Sequence, residues 1–74
     1  MNFLSIWTVY RRPDDFPEHF VARRHEVKVG GKLVVTDEIL IADTLDGVRA
    51  QLPPGLHRIV RQPDDKPSIV ETWL

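Results

Sequence analysis

HFVARRHEVKVGGKLVVTDEILIA, residues 19–42, contains two strand-like runs joined by a glycine pair. His19–Val29 reads as a strand. Gly30-Gly31 reads as a two-residue hairpin turn, because paired glycines tolerate the positive φ that primed turns demand. In the register this turn sets, Arg24 faces Asp37, Arg23 faces Glu38, Val27 faces Val34 and Phe20 faces Ile41. Two opposite-charge pairs and two apolar pairs fall into place together, each worth about 0.2–1 kcal/mol. Thr36-Asp37-Glu38 is the place where a bulge or turn would interrupt the third strand.

Upstream, Phe3–Tyr10 (FLSIWTVY) is aromatic and β-branched, as strands are. Its alternate residues are apolar on both sides, Phe3, Trp7 and Val9 against Leu4, Ile6 and Tyr10, which places it centrally in a sheet. Downstream, Asp43 or Thr44 caps a short helix whose apolar face is Leu45, Val48 and Leu52. Gly47 within it costs about 0.5–1 kcal/mol against alanine, so packing must hold the helix in place. Pro53-Pro54-Gly55 ends it. Leu56–Val60 and Ser68–Trp73 are two further strands. The order β-β-β-α-β-β predicts an α+β fold, a small, mostly antiparallel sheet with one helix packed on one face. The first strand sits centrally, between a β2–β3 and a β4–β5 hairpin.

At 74 residues the chain makes one domain, 1–74, with a compact core that buries only about 60–65% of the unfolded surface. It has no cysteine, hence no disulfide and no thiolate metal site. Net charge is −1, which argues against whole-molecule steering to nucleic acid or an anionic membrane. Charge is nevertheless uneven. Residues 11–32 carry six basic and four acidic side chains, and residues 33–52 one basic and four acidic. Neighbouring segments of opposite sign suggest internal pairing first. No apolar run approaches the roughly 20 residues of a membrane span, and Arg11-Arg12 follow the apolar N-terminal stretch rather than precede it, the reverse of a secretory signal. A soluble cytoplasmic protein is the expectation.

YRRPDDFP (10–17) and VRQPDDKP (60–67) share R-x-P-D-D-x-P fifty residues apart. Too few carboxylates are present for a hard cation, so both read as turns. Pro13 and Pro63 suit the second turn position, the aspartates cap local N–H groups, and Pro17 and Pro67 set the start of the next strand. His19, His25 and His57 lack metal-ligand spacing, Ser5 and Ser68 lack a nucleophile elbow, and Lys32 after the glycine pair lacks a phosphate-loop pattern. A ligand pocket of usual size, about 300 Å³ or more, is hard to fit in so small a core. Catalytic, cofactor and metal residues are therefore expected to be none, and no small-molecule substrate is implied. Arg11, Arg12, Arg23 and Arg24 are the candidate interaction surface. Alternation sends Arg23 and Arg24 to opposite faces, which weakens a phosphate-backbone reading. Thr72-Trp73-Leu74 matches the tail pattern taken by PDZ-type pockets, but Trp73 is more simply the inward anchor of the last strand.

WTVYRRPDDFPEHFVARR (7–24), DEILIADTLDGVRAQLPPGLHR (37–58) and PSIVETWL (67–74) resemble a family of short bacterial and prophage-encoded proteins of unknown function. The shared pattern is Y-x-x-P-x-D-x-P-x-x-F-V-A-R-R, then L-P-x-G-L-x-R, then W-L. Tyr10, Pro13, Asp15, Pro17, Phe20, Val21, Ala22, Arg23 and Arg24 fill the first part. Leu52, Pro53, Gly55, Leu56, Arg58, Trp73 and Leu74 fill the rest. The resemblance implies no activity, no cofactor and no catalytic residue.

The functional expectation is a non-catalytic module that binds protein, a second copy of itself included, through one of the two edges a five-stranded sheet leaves open. The alternative is weak nucleic-acid binding by the four arginines.

Overall fold

Three strands, β1 (Leu4–Arg11), β2 (Phe20–Val27) and β3 (Leu33–Ala42), precede one helix, α1 (Leu45–Gln51). β4 (Arg58–Val60) and β5 (Ile69–Trp73) follow it. The computed structural model describes residues 4–74. Phe3, expected in the first strand, lies outside them. The strands form a single sheet ordered β3-β2-β1-β5-β4, with every neighbouring pair antiparallel.

Cross-strand partners share a face of the sheet, so the registers define two surfaces. On one, Trp7, Val9 and Ala22 are buried together with Val48 of α1, and Phe20, Leu40, Ala42, Leu45, Leu52 and Trp73 pack around them. The helix therefore uses the Leu45/Val48/Leu52 stripe its spacing predicts. Thr44 is its N-cap, its hydroxyl accepting from the Gly47 N–H at 3.0 Å. Trp73 is the inward anchor expected of the last strand.

The opposite surface carries four rows across the strands. They are Leu33/Val27/Leu4, Val35/His25/Ile6, Ile39/Arg23/Thr8/Thr72/Ile59 and Ile41/Val21/Tyr10/Ile69. No helix or strand lies over it, because the one helix packs on the other side; at one end the 12–19 loop reaches it, where Asp15 pairs with Arg23 and Val21 is fully buried.

The β2–β3 hairpin departs from the expected register. Its loop has three residues, Val29-Gly30-Gly31, closed by Lys28 N–H donating to Lys32 O at 2.8 Å and Gly31 N–H to Lys28 O at 2.9 Å. Gly30 and Gly31 both have positive φ, 85° and 79°. Val27 consequently faces Leu33, not Val34, and Phe20 faces Ala42, not Ile41. The interruption expected at Thr36–Glu38 is present. Those three residues oppose Arg24 alone, between the Arg23↔Ile39 and His25↔Val35 pairs. The Thr36 hydroxyl bridges the gap, donating to Arg24 O at 2.9 Å and accepting from Glu38 N–H at 3.2 Å.

The two R-x-P-D-D-x-P loops turn differently. In the second, Asp65 N–H donates to Gln62 O, so Pro63 holds the second turn position, and Asp65 Oδ2 caps Gln62 N–H at 2.9 Å. In the first, Phe16 N–H donates to Pro13 O, so Pro13 is the first turn residue, not the second. Pro17 and Pro67 then occupy equivalent places, inside turns closed by His19 N–H to Phe16 O and by Ile69 N–H to Lys66 O. Arg12, with φ 48°, is the residue that displaces the first turn.

Candidate functional site

The four arginines singled out by sequence do not form one surface. Arg24 lies on the helix-covered face, as cross-strand partner of Trp7. Its guanidinium is shared among Ser5 Oγ (3.0 Å), Glu26 (3.3 Å) and Glu38 (2.9 Å). Arg23 lies on the open face, pairs with Asp15, and stacks its guanidinium over the Tyr10 ring at 5.9 Å. The expected Arg24–Asp37 and Arg23–Glu38 pairs are therefore replaced. The unequal bulge carries Glu38, rather than Asp37, to Arg24, while the 12–19 loop delivers Asp15 to Arg23. Arg11 sits over Phe20 at 5.7 Å on the covered side. Arg12 projects from the first loop.

The histidines are dispersed. His19 Nδ1 lies 3.0 Å from Asp43 Oδ1. His25 is in the second open-face row, and His57 exchanges backbone bonds with Leu74. Among the described residues no three His, Cys, Asp or Glu side chains converge as a metal site would need, and no helix is long and apolar enough to cross a membrane.

Glu71 was not singled out by its sequence, yet it is the one buried charged side chain among those described, 3% exposed. Its place follows from alternation. As partner of Val9, two residues before Trp73, it must face the core. Arg49, the next residue after the buried Val48 on α1, grips it with two bonds, Nε to Oε2 at 2.9 Å and Nη2 to Oε1 at 2.6 Å. The Trp73 indole N–H donates to Oε2 at 2.7 Å, and Arg58 lies 3.8 Å away. Hydrogen bonding from Arg49 holds the Glu71 carboxyl below its ordinary value despite burial, with help from Trp73, and the same bonds raise Arg49. A bidentate arginine that satisfies both carboxylate oxygens clasps the helix to β5. It leaves neither oxygen free for a substrate. A signal existed in the inward series Glu71–Trp73 beside a lone basic residue on the helix, but the pairing is 22 residues long-range and invisible to local spacing.

Two features face outward and are unspent. The first is the open sheet face, whose outer rows expose Leu33 (59%), Val35 (68%) and Leu4 (49%). The second is a cleft at the end of the sheet where the two proline-aspartate loops meet. Its volume is about 270 Å³, and Tyr10, Arg12, Asp15, Arg23, Lys66 and Ser68 line it with Pro13 and Asp14. No family model, no curated protein and no solved structure matches this chain.

Proposed function

We propose that this chain is a non-catalytic cytoplasmic binding module whose partner is a second copy of itself, joined through the open face of the sheet. The observation that carries this is the composition of the four open rows. Nine aliphatic side chains, Leu4, Ile6, Val27, Leu33, Val35, Ile39, Ile41, Ile59 and Ile69, accompany the buried Val21 on a face that no helix covers. Soluble monomers rarely expose contiguous apolar patches beyond a few hundred Å².

The edges are poorer docking sites than the face. β3 is broken by its bulge, and β4 is three residues long, the two devices that discourage edge-to-edge pairing. The face itself is large enough. The four rows hold three, three, five and four side chains, and at about 4.8 Å by about 7 Å each they span roughly 500 Å² per copy, so a two-fold pair buries up to about 1,000 Å², the lower bound of a specific interface. Such a pair is a sandwich, with two inner faces interdigitating in the way sheets pack. The arginine on this face, Arg23, is already paired with Asp15.

Nucleic-acid binding by Arg11, Arg12, Arg23 and Arg24 draws less support, because Arg23 and Arg24 hold carboxylates on opposite faces. Sedimentation velocity from micromolar to millimolar concentration tests the dimer. The expected result is a monomer–dimer shift in the native chain that Val35→Asp abolishes. A native chain that stays monomeric throughout, or a Val35→Asp chain that pairs equally well, overturns the proposal.

A further inference from the structure

The cleft between the two loops adjoins the open face, sharing Tyr10 and Arg23 with its rows, and its chemistry is distinct from theirs. Backbone tethers hold its walls together. Arg11 N–H donates to Ser68 O at 2.7 Å, and Arg12 N–H to His19 O at 2.9 Å. Three cations line it. Arg23 is fixed by Asp15 and Tyr10. Arg12 and Lys66 make no ion pair among the described residues. They come from different positions of the repeated motif. Arg12 corresponds to Gln62, and Lys66 corresponds to Phe16. Each copy of the motif thus supplies one cation to the lining of a single cleft.

Arg12 adds a second observation. Its φ of 48° is left-handed, a conformation that non-glycine residues adopt at a cost, and residues preceding proline favour extended backbone instead. Strained backbone of this kind persists where surrounding structure over-determines it, and it clusters at ligand clamps. The residue that carries this strained backbone is one of the cations lining the cleft.

We infer that this cleft binds a small molecule bearing one phosphate monoester group, with Arg12 and Lys66 of its lining pairing with the group's oxygens. Arginine and lysine are the donors suited to that group, the former through its planar fork and the latter as a point charge. The Tyr10 and Ser68 hydroxyls complete the lining with neutral donors. Arg12, Arg23 and Lys66 set against Asp14 and Asp15 leave a net charge of +1. That balance suits one anionic group and leaves too little positive charge for a polyphosphate or a nucleic-acid backbone. A volume of about 270 Å³ has room for the group and a small organic remainder only.

Amide chemical-shift titration of the full chain tests this, with inorganic phosphate and O-phosphoserine as probes and sodium chloride at matched ionic strength as control. The expected result is saturable shifts centred on Arg12, Asp15, Arg23 and Ser68 for both phosphates, tighter for O-phosphoserine, with none for chloride. Lys66→Ala weakens binding at least tenfold, and Arg58→Ala, outside the cleft, leaves it unchanged. Arg12→Gly separates ligand from fold. Glycine accepts the left-handed backbone freely, so this variant keeps or raises Tm while losing phosphate binding. Shifts no larger than with chloride, shifts spread evenly over all basic residues, or phosphate binding retained by Arg12→Gly overturn the inference.

Discussion

Glu71 concentrates the electrostatics of the fold in one residue. Its carboxylate is buried, doubly held by Arg49 and capped by the Trp73 indole. Because its folded value is lowered, the unfolded chain binds a proton more readily than the native one just below the ordinary carboxyl value of 4.5. The stabilisation is therefore complete above that pH and is lost as pH falls through the lowered native value. Glu71→Gln keeps the shape and removes the charge. Arg49 is partly solvated and can turn to water, which limits the loss to about 2–3 kcal/mol. In a chain of this size, whose total stability is of order 4–11 kcal/mol, that is a large fraction. Thermal melts from pH 7 to pH 3 check both points. The native Tm should fall steeply on acidification, and the Glu71→Gln Tm should start lower and fall less. The arginines of β2 show how much was legible at this scale. Their internal satisfaction follows from the local charge balance. Their actual partners do not, because Asp15 reaches Arg23 only through the loop that Arg12 bends.

At the scale of elements, strand existence, the helix stripe and its cap follow from alternation and spacing, whereas the register of β3 does not. The expected pairing would have set odd residues opposite even ones and turned Leu40 and Ala42 away from the helix, since a one-residue slip exchanges the faces of a strand. The observed hairpin avoids this. A three-residue loop starts the ladder one step differently, and the bulge then places three residues opposite one, an insertion of two that preserves the face. Ala42 is thereby delivered beneath α1, where a Cβ built on Gly47 would lie 2.9 Å from Ala42 Cβ and 3.1 Å from Thr44 Oγ1. Glycine at this position is a packing requirement of the helix–β3 contact, and it outweighs propensity. Gly47→Ala should gain about 0.5–1 kcal/mol of helix propensity and lose more, about 1–3 kcal/mol, to overpacking. A urea melt should show a lower midpoint with an unchanged slope. The Gly47→Ala/Ala42→Gly pair should be less destabilised than the sum of its single changes, the sign of a direct contact.

For the whole molecule, the decisive asymmetry is one short helix on a sheet whose two faces are both apolar. The two-sided character of β1 is readable from FLSIWTVY and places that strand inside the sheet. The uncovered face is harder to see, because β2 and β3 interleave His25, Arg23 and Thr36 among their aliphatic residues, and only the register collects those aliphatics into rows. A face completed by a second copy couples pairing to folding, so apparent stability depends on concentration. With an unfolding entropy of about 2.1 cal/mol/K per residue, two chains of this length released together should shift Tm by about 4 °C for each tenfold change in concentration. Differential scanning calorimetry over two decades of concentration is the measurement. The native chain should show that slope. Val35→Asp, which places a carboxylate on an exposed outer row without touching the helix-side core, should melt at one temperature at every concentration. A flat native Tm would mean that the fold is stable with this face open to water, and that the aliphatic rows serve the interior of the sheet alone.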